Sequence, residues 1–402
     1  MRKRYHFFIR KEESQMEDLV LQLPERESLY QLYLYAFNRQ DSPARKAFFM
    51  DRVEHGKVFR IKDGEQVVSG LYRLPFELRI GDQLFQMGGI GDVMTYPEYG
   101  GHGYATTLLK NALADMNADG YELSFLAPFS QRYYRRLGYE QAVSAFTYEI
   151  DSQKLRPAKV KDQRKVERTS LASSMDEVAE YYRQTVATQD GKINRQPWWW
   201  HYLTLKNKWN VAKVYDSAQM TGYAIYEIQG TNLVVSEMNY QDWDTYQTLL
   251  NFVAAHSSMV ERFIFKDHSN FYQGHYSLEP GEMNVHVEPY MMGRIVNFKR
   301  LIAKYPFENE FGKMLIKIED DVLQSNNGVW KVSKAGIEQA SQKDHWQIRG
   351  KINDLSAFFL GQLSLKQAVQ LHRIQVQAID DEQLAQFDSA VKKNILGFND
   401  YF

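Results

Sequence analysis

The chain has 402 residues, 44% hydrophobic and 25% charged, a composition that excludes a disordered protein and leaves room for two or three domains. Forty-nine basic against fifty acidic side chains give a net charge of −1, so no global charge invites nucleic acid or an anionic membrane. Cysteine is absent, which excludes disulfides, thiolate metal ligands and an acyl-cysteine intermediate.

The first residues, MRKRYHFFIRK, are basic, but their apolar run is too short for a secretory signal and no stretch of eighteen apolar residues occurs anywhere. A cytoplasmic protein with a tail over 1–15 is expected. A first strand is expected at 19–23, then helical patterns through Leu29, Leu32, Ala36 and Phe37 and, behind Ser42-Pro43, over 44–53. Segments 58–62 and 66–73 flank Asp63-Gly64 as a hairpin, and a second hairpin turns at Gly81-Asp82. It leads into a central strand with Ile90, Val93 and Met94 around Asp92, ending before Pro97. From Tyr104 the period becomes helical, with Leu108, Leu109, Ala112, Leu113 and Met116 on one face.

Between strand and helix lie Gly100, Gly101 and Gly103, and such a turn at a helix N-terminus is an anion site, because unpaired N–H groups converge where the helix dipole is positive. A phosphate-binding P-loop needs Lys and Ser or Thr after its last glycine, but Tyr104 and Ala105 follow Gly103. A dinucleotide fingerprint needs a third small residue where Thr106 stands. The stretch resembles the coenzyme A loop of the GNAT N-acetyltransferases, with Gly103 and Ala105 at its last two places and Gly100 where a basic residue is usual. A short strand over 121–126 ends before Pro128. Ser130-Gln131-Arg132-Tyr133-Tyr134-Arg135-Arg136-Leu137-Gly138-Tyr139 then resembles the tyrosine-rich segment and Gly-aromatic pair of the same family. The resemblance implies an α+β GNAT domain over 16–150.

Residues 151–168 read as a basic, solvated linker, with Arg156, Lys159, Lys161, Arg164, Lys165 and Arg168. Pro197 is followed by Trp198, Trp199 and Trp200, whose rings suit a core. Strands at 211–215, 222–228, 232–240 and 262–266 and a helix at 244–256 suit a second GNAT-like unit over 151–290; it has no glycine-rich loop and is not expected to bind the coenzyme. A third unit over 291–402 has a helix near 296–304, strands at 313–319, 328–332 and 345–351, and helices at 364–374 and 380–394. Ser364 with Gln367 forms a capping box, and Leu384, Phe387 and Val391 share one face. The layout resembles the sterol-carrier-protein-like C-terminal domain of the Eis (enhanced intracellular survival) acetyltransferases.

That resemblance implies acetyl-CoA as co-substrate and a small-molecule or lysine amine as acceptor: a polyamine, an aminoglycoside or a lysine side chain. It also implies a homo-oligomer, a hexamer in the family. Backbone of Val93, Met94 and Thr95 would polarise the thioester carbonyl, and Tyr99, Gly100, Gly101, His102, Gly103, Tyr104 and Ala105 would hold the pyrophosphate. Tyr134 takes the place of the general-acid tyrosine, with Tyr133 the alternative one register away. His102 reads as a solvated loop side chain. For the base, Asp92 and Glu98 are near in sequence, whereas the resemblance points to the α-carboxylate of Phe402. Asp92, Asp400 and Tyr401 would meet the acceptor's ammonium group; a frayed end is the plainer reading of the last residues. A binding protein of a different class, using the sterol-carrier-like domain for apolar ligands, is the alternative to the enzyme.

Overall fold

The structure, a computed structural model, describes residues 23–157, 159–160, 164–269, 280–341, 345–393 and 396–402. The strand expected at 19–23 lies outside them except for Leu23, which instead opens helix α1 (Leu23–Ala36). In α2 (Pro43–His55) the Ser42 side chain accepts from the Arg45 amide, and Pro43 occupies the first turn, where an N–H would be unpaired anyway. Both hairpins form: β1 (Lys57–Asp63) with β2 (Gln66–Ile80), and β2 with β3 (Gln83–Thr95). β2 outruns its expected end at 73 because Leu74, Phe76, Leu78 and Ile80 alternate into the core. Then follow α3 (Tyr104–Ala118), β4 (Leu123–Leu126), α4 (Gln131–Arg135) and β5 (Glu140–Asp151).

The expected linker is shorter than its sequence suggests. Lys165 and Arg168 belong to β6 (Lys165–Ser170), and Arg164 is tied down by donating to Asp242 Oδ1 at 2.7 Å. Two features had no clear periodic signal: α5 (Met175–Tyr181) and the π-helical turn Tyr182–Val186 that continues it. Beyond them come α6 (Pro197–Lys206), β7 (Asn210–Asp216), β8 (Gln219–Gln229), β9 (Asn232–Tyr240), α7 (Trp243–Ala254), β10 (Arg262–Asp267) and β11 (Met283–Ile295). Trp199 and Trp200 are buried, as core rings should be. β11 runs through residue 290, so the third unit starts after Ile295 and not at 291.

The first two units share one eleven-stranded sheet, ordered β1-β2-β3-β4-β11-β5-β10-β9-β8-β7-β6. β11, from the second unit, lies antiparallel between β4 and β5 of the first, while β5 pairs on its other edge with β10. Each unit thus completes the other's hydrogen-bond ladder.

The third unit comprises α8 (Phe298–Ala303), β12 (Met314–Glu319), β13 (Gly328–Ser333), β14 (Gly336–Gln339), β15 (Ile348–Lys351), α9 (Ile352–Phe359), α10 (Leu365–Gln370), β16 (Ile374–Val376) and α11 (Asp381–Ala390). Its sheet is ordered β14-β13-β12-β15-β16. The Ser364–Gln367 capping box is present. The helix expected over 364–374 stops at Gln370, and Ile374 opens a strand. α11 ends at Ala390, Val391 is extended, and residue 394, the expected end, lies outside the described residues. Arg294 joins this unit to the sheet: wholly buried, it donates to Asp320 Oδ2 at 2.6 Å and to the Leu137 carbonyl. Removing either charge would leave the other buried and unpaired, at a cost of about 3–5 kcal/mol. Among the described residues no helix is long and apolar enough to cross a membrane.

Candidate active site

The site is built around the C-terminal half of β3. β3 and β4 run parallel and pair from Met87↔Leu123 to Ile90↔Leu126, where the pairing stops. Beyond it, no strand among the described residues pairs with the β4-facing edge of β3 from Gly91 to Thr95. On the other edge, Gly70 opposes Met94 and Tyr72 opposes Gly91, so Asp92 and Val93 face a single β2 residue, Leu71. This is a β-bulge, and Asp92 sits in it with φ +45°. β4 ends at Leu126, so the end of β3 past Ile90 is left without that partner, an edge suited to an extended ligand that adds itself as a strand.

Past the end of β3, Pro97–Tyr99 form a tight turn whose closing bonds use the amides of Tyr99, to the Tyr96 carbonyl at 3.0 Å, and Gly100, to the Pro97 carbonyl at 2.9 Å. Those two amides, expected to help hold a pyrophosphate, are therefore already committed. Among the described residues the amides from Gly101 to Thr106 make no hydrogen bond. Gly101 at φ +77° and Gly103 at φ +78° turn the chain back on itself, and an added Cβ at either would meet nothing within 4 Å. Space is open there, and the backbone conformation alone demands glycine. No side chain caps α3 and its first turn carries no carboxylate, so the helix N-terminus is left for an outside anion. His102 is exposed and turned onto the Tyr99 and Gly100 carbonyls at 3.1 and 3.0 Å, a loop role as expected.

The two tyrosines of α4 differ. Tyr133 shares a 3.0 Å hydrogen bond with Thr106 Oγ1 and so ties α4 to α3. Tyr134 is 1% exposed, ringed by Phe129, Tyr133 and Tyr139 at 5.3, 5.1 and 6.1 Å, and its hydroxyl has no hydrogen-bond partner among the described residues. Burial pushes its pKa well above the usual tyrosine value, with Tyr139, Tyr133 and Tyr401 adding to the shift. It is the hydroxyl free to donate.

The end of the chain is not frayed. Phe402 is 4% exposed; its ring lies 5.0 Å from that of Phe76 and 6.5 Å from that of Phe398. It rests on β3 at Gly89, where a Cβ would stand 2.9 Å from two of its ring carbons. Tyr401 is half-exposed beside Tyr290, and its hydroxyl pKa is raised by burial and by the charge of Asp92.

Two expected substrate carboxylates are otherwise engaged. Asp92 pairs with Arg52, whose guanidinium is 4% exposed, lies 4.6 Å from the Tyr72 ring centre and also donates to the Tyr202 hydroxyl at 3.0 Å. Burial works against the charge on Arg52, but Asp92 and the tyrosines around it outweigh burial and raise its pKa. Asp400, 2% exposed, accepts from Arg195 Nε at 2.7 Å and Trp199 Nε1 at 2.6 Å. Each carboxylate was drawn in by a buried arginine that needed a counter-charge. The arginines were missed in the sequence, although Arg52 gives a signal: with Phe48, Phe49 and Val53 it falls on the buried face of α2.

The family profile described as an acetyltransferase (GNAT) domain matches residues 21–142, a second profile of that description matches 191–295, and a sterol carrier protein domain matches 298–395. An uncharacterised N-acetyltransferase of Streptomyces coelicolor is 26% identical over 193 residues, 46% of this chain and 46% of that protein, so the match spans less than half of the relative. Among solved structures, a protein of unknown function from Enterococcus faecalis, described as a probable N-acyltransferase, superposes with TM-score 0.86 at 28% identity, covering 94% of this chain and 97% of that one. Eis1 of Mycobacterium abscessus superposes with TM-score 0.78 at 16% identity over 94% and 97% of the two chains, a likeness of fold.

Proposed function

Since the chain belongs to the GNAT N-acetyltransferase family, in the Eis-like arrangement of two acetyltransferase domains and a sterol carrier domain, we propose that it moves an acetyl group directly from acetyl-coenzyme A to a primary amine. The observation that carries this reading is the end of β3, unpaired with β4 beyond Ile90, followed by the amides from Gly101 to Thr106, which make no hydrogen bond among the described residues. The amides and the α3 N-terminus fit a diphosphate, and the bare edge of β3 fits an extended chain of amide groups. Backbone N–H near Val93 and Met94 would polarise the thioester carbonyl, which the acceptor nitrogen attacks. As the carbon–sulfur bond breaks, Tyr134 donates its proton to the leaving sulfur. The α-carboxylate at Phe402 takes the proton from the amine.

The acceptor is an amine of a polyamine, an aminoglycoside or a lysine side chain. With Asp92 and Asp400 already paired, its positive charge meets the carboxylate at Phe402 and the face of Tyr401. Assembly as a homo-oligomer belongs to the same reading. A ligand carrier built on the third unit has less support, because the rings of Phe298, Tyr305, Phe307, Phe358, Phe359 and Phe387 pack together in that unit's interior.

Acetyl-coenzyme A offered with a panel of amines, with release of free thiol followed, tests the activity; thiol release with none of them, together with no binding of acetyl-coenzyme A, would overturn it. A single residue added after Phe402 displaces the carboxylate by roughly 3.3–3.6 Å, out of reach of the amine proton. Turnover should collapse while acetyl-coenzyme A still binds, whereas Phe402→Ala should keep part of the activity. Full activity in the extended chain would remove Phe402 from the mechanism.

A further inference from the structure

The last residues of the chain are held by the second acetyltransferase-like unit. Lys192 Nζ donates to the Gly397 carbonyl, the Gly397 amide to the Gly191 carbonyl at 3.3 Å, and Asn399 Nδ2 to the Ser236 carbonyl at 3.0 Å. The Tyr290 hydroxyl donates to the Asp400 carbonyl at 3.0 Å. Beneath the backbone, Arg195 donates to Asp400 with Nε and grips Glu237 with Nη1 and Nη2 at 3.2 and 2.5 Å. Its guanidinium lies against the rings of Tyr182, at 4.5 Å, and Trp200, at 4.7 Å. Arg195 thus pairs with two buried carboxylates, Glu237 and Asp400, beside Lys192, whose pKa burial lowers. Burial would protonate Glu237, yet Arg195 beside it holds its carboxyl below the ordinary value.

A buried arginine between two carboxylates is an expensive way to hold a chain end if stability is all it provides, since apolar packing serves as well. What ionic contacts add is a fixed position. Asp400 lies two residues before Phe402, whose ring is seated on Gly89 and Phe76, so the short peptide between them is pinned at both ends. We propose that Arg195 is a positioning residue: by fixing Asp400 it sets where the carboxylate at Phe402 stands over β3. The second unit, which lacks a glycine-rich loop, then serves the first as the clamp on its catalytic end. This inference rests on the reading of Phe402 as the base.

The test places Asp400→Asn and Arg195→Lys, singly, in the full chain and in a chain lacking Phe402. In the full chain each should lower kcat by about 10–100-fold, the scale of a misplacement near 1 Å, while the KM for acetyl-coenzyme A changes by less than about twofold. In the chain without Phe402 the same substitutions should leave the residual rate within about twofold, because the group they position is gone. An equal loss in both backgrounds would mean a merely structural role and overturn the inference. A crippled chain without Phe402 alongside an unaffected Asp400→Asn would overturn it as well, leaving the base assignment standing. Undiminished activity without Phe402 would overturn the base assignment and the clamp together. Should Arg195→Lys fail to fold, Asp400→Asn and Trp199→Phe, which removes one hydrogen bond to Asp400, carry the same comparison.

Discussion

Gly89→Ala adds one methyl group beneath Phe402. A Cβ at residue 89 stands 2.8 Å from Phe76 Cε2 and 2.9 Å from Phe402 Cδ2 and Cε2. Carbon atoms in ordinary contact are about 3.5–4.0 Å apart, so Phe76 must give by roughly 0.7–1.2 Å and Phe402 by roughly 0.6–1.1 Å. Phe76 is held against Trp198 and Trp199, with ring centres 5.6 and 4.9 Å away, and Phe402, packed on Phe76, has to move with it. Overpacking of this kind typically costs about 1–3 kcal/mol of stability, which a domain of this size survives. Catalysis should suffer more, because a shift near 1 Å costs roughly 100-fold when a proton must pass over hydrogen-bond distance. We therefore expect kcat to fall by about 10–100-fold. The KM for acetyl-coenzyme A should hold, since residue 89 lies within the paired part of β3, opposite Phe125. Thiol release at saturating acetyl-coenzyme A, with a thermal melt to confirm folding, gives both quantities. A folded variant with kcat within about twofold of the parent would refute the idea that the seat of Phe402 sets the rate.

Tyr134→Phe should lower kcat by roughly 10²–10⁴-fold with little change in KM, while Tyr133→Phe, whose hydroxyl is bonded to Thr106, should do much less; steady-state kinetics showing the reverse order would shift the acid by one residue. Gly103→Val meets no neighbour but forces a branched side chain to φ +78°, so calorimetry should show weakened acetyl-coenzyme A binding, and unchanged affinity would remove the loop from the site. Burial lowers the His268 pKa from 6.5 to about 4, opposed by a hydrogen bond with Asn399 and the charge of Glu237 and reinforced by Lys192 and Lys266. The folded state therefore refuses a proton that the unfolded chain accepts: this contribution is intact above pH 6.5 and is lost as the pH falls towards 4. At pH 5 the loss is about 2 kcal/mol, and His268→Gln should flatten the decline in melting temperature between pH 7 and 5; parallel curves for the two proteins would contradict it.

Much of the chain's course could be read locally. Ser42-Pro43 starts α2, the turns at Asp63-Gly64 and Gly81-Asp82 make hairpins, and Ser364 with Gln367 caps α10, because in each case a side chain or a dihedral preference acts within four residues of itself. The glycine turn before α3 and the paired tyrosines of α4 were legible for the same reason. Short elements without a full period, such as α5 and β16, gave too little signal to be read.

What the sequence alone determined, then, is which local structures form; partners across long distances were decided only by the tertiary structure. The insertion of β11 between β4 and β5 follows from ladder pairing between segments far apart in the chain, and β11 carries no mark of which edge it will complete. Charges behave in the same way. Asp92 and Asp400 read as free carboxylates for a cationic substrate because a sequence displays charge but not burial. Once packing had placed Arg52 and Arg195 out of water, each needed an anion beside it, and the nearest acidic side chains were taken into the scaffold instead of being left for the substrate.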